Sequence, residues 1–237
     1  MGSGWRALQL MRESVRPHSS RRGDSDVTST VGRIGFRAGL AAFSATVAYV
    51  VVQVLQVVGV LHFPLDEILI FGTSLCIVLP FVFELVALHY STPPEKQLWT
   101  HAALVFTTMY AVFGSANYVI QLTTVIPAKL RGAADAVRAL EQTPHSLCWD
   151  FDAIAYISMG IAAVVIIPAL ASTPAERRVR IACVAHAVAT ILSGIVYFYP
   201  DFSNTVLLLG FPWGITAPLF MLLLGLALRA RGTASAA

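Results

Sequence analysis

Charge is scarce in this chain. Only 12% of its 237 residues are Asp, Glu, Lys or Arg, where soluble domains carry about a quarter. Hydrophobic residues make up 57%, and the mean hydropathy is +0.72. That balance excludes an ordinary water-soluble domain and calls for lipid as the solvent. Cysteine is scarce too. Cys76, Cys148 and Cys183 form no CxxC pair, which argues against a disulfide framework or a zinc site and for free thiols. The apolar runs contain no Lys to carry retinal, and the chain has no HExxH, GxSxG, paired Asp-rich or P-loop motif. No metal and no cofactor are expected. The net charge of +3 does not mark a nucleic-acid partner, because the basic residues are dispersed at the ends of apolar runs. No hydrophilic stretch is long enough for a separate soluble domain.

What is abundant is apolar sequence in six runs, at about 36–61, 67–90, 101–126, 151–171, 180–199 and 205–228. Each approaches the roughly 20 residues that cross a bilayer's hydrocarbon core. Backbone amides in lipid must be paired within the segment, and the alternation of a transmembrane strand is missing, so the runs are predicted to be helices. Pro64, Pro93, Pro94, Pro127, Pro144, Pro174 and Pro200 fall between the runs or at their ends. The predicted fold is all-α: a polytopic membrane bundle of six transmembrane helices spanning about 36–228. A basic, disordered segment over about 1–35 precedes it, and a short tail over about 229–237 follows. The N-terminal segment lacks the apolar core of a secretory signal, and Met11 or a position near Val27 would serve as an alternative start.

Orientation follows from the cations. With the N-terminus inside, the inner segments hold thirteen Lys and Arg, and the outer ones hold Lys129, Arg131 and Arg138. This is the positive-inside asymmetry, so both termini are expected to be cytoplasmic, in a plasma membrane whose lipid is the first partner. A homo-oligomer is left open.

Two features depart from the pattern of short connections. In the outer connection after Pro127, Leu130, Ala134, Val137 and Leu140 recur at helical spacing, which predicts a short surface helix able to cap a pocket. GVLHFP and GIVYFYP, each followed by a run broken at a proline, also suggest that the first and last helix pairs are related hairpins.

Polar residues inside spans are costly unless paired or facing a cavity, so they are the natural place to look for function. Tyr49, Gln53 and Gln56 share a face of the first helix, and Tyr110, Gly114, Asn117, Gln121 and Thr124 share one of the third. Both stripes lie at the outer depth, where the fourth helix begins with Trp149, Asp150, Asp152 and Tyr156, the fifth ends with Ser193, Tyr197 and Tyr199, and the sixth begins with Asn204, Trp213 and Thr216. An outward-facing polar pocket is therefore expected, with Gln53, Gln56, Asn117, Gln121, Asp152 and Tyr156 binding a small amphipathic or apolar ligand. The same amides can instead serve as interhelical hydrogen-bonding groups. Trp149, Tyr197 and Tyr199 read as interfacial anchors, and at least one of Asp150 and Asp152 as a helix cap.

In the inner half the one carboxylate well inside a span is Glu84, and His186 lies at a comparable depth, which permits a pair. The candidate catalytic groups are accordingly Glu84, Asp152 and His186. Two other readings stand beside the binding protein: a membrane enzyme using Asp152 or Glu84 on a lipid-like substrate, and a small proton-coupled transporter running past Glu84 and His186.

The stretches MYAVFGSANYVIQLTTVIP and HSLCWDFDAIAYISMGIAA resemble a group of small, uncharacterised six-helix prokaryotic integral membrane proteins. That group has an aromatic-Asn-Tyr-x-x-Gln-Leu segment in the third span and a Trp-led fourth span. The resemblance covers most of the bundle and implies fold and localisation only.

Overall fold

The protein is described by a computed structural model over residues 18–234, with side chains from Thr28 onward except that of Asn204. Among the described residues it is an all-α bundle with six helices long and apolar enough to cross a membrane. They are α1 (His18–Val57), α2 (Leu65–Tyr90), α3 (Gln97–Ile120), α4 (Leu147–Val165), α5 (Pro174–Phe198) and α6 (Phe211–Ala234). Large apolar side chains such as Leu79, Phe83, Val105, Ile181 and Ile191 stay exposed along the outside, as expected where lipid is the solvent.

Each helix packs on the next in chain order, and α6 returns to α1, closing a ring. Phe81, Leu85, Met159, Phe220, Met221 and Leu224 fill its centre. The α1–α6 closure is the most extensive pairing, and it is built on glycine. Gly32 faces Gly232 and, seven residues along each helix, Gly39 faces Gly225. Without side chains there, the two backbones meet directly, which is how helices gain close packing where lipid removes the hydrophobic drive for association.

The ring has two unlike ends. At the arginine end, Arg231 on α6 donates to both carboxylate oxygens of Glu176 on α5, at 2.8 and 3.0 Å, and to Ser91 just past α2. Glu176 also accepts from the Ala171 amide. Removing the cation alone would leave a buried carboxylate unpaired, which typically costs roughly 3–5 kcal/mol. Thermal melts in detergent should therefore show Arg231→Met well below wild type, with Arg231→Met/Glu176→Gln recovering part of the loss.

The other end, here the loop end, carries the connections 58–64, 131–146 and 199–203. Three expectations change there and at the N-terminus. Of the segment expected to be disordered over 1–35, residues from His18 are helical, and 1–17 lie outside the described residues. A helix propagates beyond its apolar run once packing has nucleated it, so hydropathy alone sets its start too late. The third span does not stop before Pro127: α3 continues through a π-helical turn, Gln121–Val125, into Ile126–Leu130. The wider turn changes the hydrogen-bond ladder just where proline cannot donate. The expected surface helix is absent; only Ala134–Val137 forms a 3-10 turn, and Leu130 is exposed. Tertiary hydrogen bonds to Leu140 and Gln142 hold this segment instead of an amphipathic face.

Candidate functional site

The polar residues of α1, α3 and α4 converge at the loop end. They surround a cavity of about 280 Å³ bounded by α1, α2, α3, α4 and the 131–146 connection. All six predicted binding residues lie in or directly behind its wall: Gln53, Gln56, Gln121, Asp152 and Tyr156 line it, and Asn117 is fully buried behind them.

Asp152 is the hub on α4. Its Oδ2 accepts from the Tyr197 hydroxyl at 2.5 Å and from Gln142 Nε2 at 3.0 Å, and its Oδ1 from Asn117 Nδ2 at 3.3 Å. The Tyr118 hydroxyl also approaches the carboxylate. Asn117 Nδ2 donates as well to Gln142 Oε1, at 2.8 Å. The side chain of Gln121, at the first residue of the π-helical turn, donates to the Leu140 carbonyl at 2.7 Å and accepts from the Gln142 amide at 3.3 Å. Three spans and a connection are thus tied into one polar wall.

The opposite wall is a chain of hydrogen bonds. Tyr156 donates to Tyr49, Tyr49 to Gln53, Gln53 to Gln56, and Gln56 to Asp66 Oδ2 at 2.8 Å. Every link except the last two lies at 3.2–3.3 Å, near the long end of the usual range. Over the cavity, Lys129 bridges Glu67 of α2, at 2.7 Å, and Glu141 of the connection, at 2.8 Å.

Two contributors were read from the sequence mainly in another role, and others gave no signal there. Tyr197 and Trp149, read as lipid-interface anchors, turn inward: Tyr197 holds Asp152, and Trp149 lines the cavity while donating to the Tyr197 carbonyl. Tyr199 is exposed. The cap of α4 is Ser146, which accepts from the Trp149 amide at 3.2 Å, so Asp152 is freed from that role and Asp150 sits exposed in the first turn. Gln142, Asp66, Glu67 and Glu141 gave no periodic signal. They sit in or beside connections, where only three-dimensional proximity identifies them.

Glu84 and His186, the candidates away from the loop end, are not brought together. Glu84 is fully buried against Gly39 of α1 and the backbone of Gly225 of α6, and neither of its oxygens completes a hydrogen bond of good geometry with any described residue. His186 places Nδ1 3.2 Å from Thr216 Oγ1 and stacks on Phe220, leaving Nε2 without a partner. The Glu84–His186 pair permitted by depth therefore does not form. Equal depth leaves the angle around each helix axis undetermined: His186 turns to Phe220, and Glu84 turns to Gly39 and Gly225. No family model, curated protein or solved structure matches the chain.

Proposed function

We propose that this bundle is a plasma-membrane binding protein that takes a small amphipathic ligand into the loop-end cavity, with that end facing out of the cell and both termini in the cytoplasm. The observation that carries the reading is a cavity, not a sealed seam, among Gln53, Gln56, Gln121, Asp152 and Tyr156. Were these groups interhelical glue alone, their hydrogen bonds would close on one another and leave no space. Instead they form two polar walls facing about 280 Å³. That volume lies just below the roughly 300–1,000 Å³ of typical small-molecule sites, which favours a compact ligand over a whole phospholipid. The orientation rests on thirteen cations against three at the two ends.

Native mass spectrometry of protein released from mild detergent tests the reading. Leu207 stands at the cavity rim, half-exposed, where tryptophan would fill the opening without entering the core. Wild type is expected to carry a discrete adduct that Leu207→Trp lacks. Equal adducts in both, at matched melting temperature, would remove the cavity as the binding site.

A further inference from the structure

The geometry points to a small alkylammonium cation, one without N–H donors to place, as the class of ligand this cavity takes. The inference rests on the binding reading above and adds the ligand's charge to it.

The first ground is charge. Among the lining residues are three carboxylates, Glu67, Glu141 and Asp152, and no Lys, Arg or His. Lys129, beside the cavity, is ion-paired with two of them, Glu67 and Glu141. One cation against three carboxylates leaves the cavity negative, and Asp66, buried and bonded to Gln56, adds a further carboxylate whose Oδ1 has no partner among the described residues. A concave site inside a low-dielectric helix bundle focuses such a field, attracting cations and rejecting anions.

The second ground is aromatic surface. Tyr49, Tyr118, Trp149 and Tyr156 line the same space, and aromatic rings attract cations by about 0.5–2 kcal/mol each. The third is the state of Asp152. Its oxygens already accept from Asn117, Gln142 and Tyr197, so an ammonium that needs a direct N–H···O bond must displace an existing one. A fully alkylated nitrogen has no such need. It uses the field and the rings while leaving the network whole. At about 280 Å³ the cavity has room for such a headgroup but not for two acyl chains beside it.

The test compares two probes of the same shape, choline and its uncharged isostere 3,3-dimethylbutan-1-ol, titrated against the purified full chain in non-ionic detergent by calorimetry and tryptophan fluorescence. Choline is expected to bind at least about tenfold more tightly than the alcohol. Glu67→Gln/Glu141→Gln, which leaves the Lys129 charge unpaired beside the cavity, is expected to weaken choline by about tenfold and leave the alcohol unchanged. Equal binding of the two probes, abolished for both by Leu207→Trp, would overturn the cationic class while leaving the cavity as a binding site. Absence of binding by either probe would overturn the cationic class too, and the adduct comparison above would then decide the binding reading by itself.

Discussion

Asp152→Ala should melt far below wild type, while Asp150→Ala, two residues away, should melt with it. Asp150 is exposed in the first turn of α4, where it has no buried partner to lose. Asp152 is the acceptor on which the loop end is organised. Removing it orphans the Gln142 amide and the Tyr197 hydroxyl, whose bonds run to Oδ2, and takes one of two acceptors from Asn117. Unsatisfied buried donors cost about 1–3 kcal/mol each, so the two orphans together cost about 2–6 kcal/mol, toward the lower end where cavity water reaches them. Because Gln142 belongs to the connection, the loss should also expose residues 131–146 to limited proteolysis. Asp152→Asn keeps one acceptor and should fall between. Melting of Asp152→Ala together with wild type would show that the network contributes little to stability.

The second large effect concerns glycines that look interchangeable in the sequence. Gly32→Ala should destabilise the bundle strongly and Gly39→Ala more so, whereas Gly72→Ala and Gly194→Ala should be neutral or stabilising. A Cβ on Gly32 would stand 2.8 Å from the Leu228 carbonyl oxygen and 2.9 Å from Gly232 Cα, both backbone atoms that cannot swing aside. One on Gly39 would stand 2.9 Å from Gly225 Cα and overlap the Glu84 carboxylate. Overpacking of this kind costs about 1–3 kcal/mol or more, because α1 and α6 must separate along their length. At Gly72 and Gly194 nothing lies within 4 Å of the new carbon, and alanine in a helix interior gains about 0.5–1 kcal/mol over glycine. Melting temperatures of the four variants in one detergent check the contrast; a uniform response would mean that the helices do not close through these glycines.

The six helices and the polar faces of α1 and α3 were legible in the sequence because both are local signals. Hydropathy over about 20 residues reports a span, and residues at i, i+4 and i+7 share a face whatever their neighbours. Pairing across the bundle was not legible. Depth in the membrane can be counted from the ends of a helix, but the direction a residue faces around the helix axis depends on its partners. Gln53 and Asp152 were therefore placed correctly at one level, whereas Glu84 was matched by level with His186 and in fact faces Gly39 and Gly225. Gly32 and Gly232 stand two hundred residues apart, and nothing in either local sequence identifies the other as its partner. The π-helical turn was hidden for a related reason: its apolar composition matches the α-helix on either side, and Pro127 read as a terminator.

The closure of the ring also dictates an order of assembly. Ribosomes deliver α1 and α2 first and α6 last, yet the pocket of backbone that encloses Glu84 takes one wall from α1 and the other from α6. For most of its synthesis the nascent chain therefore holds a half-covered carboxylate in the bilayer, an arrangement membranes tolerate poorly. Truncations that stop before Gly225 should be handled by the cell as unfinished protein, however well their remaining helices insert.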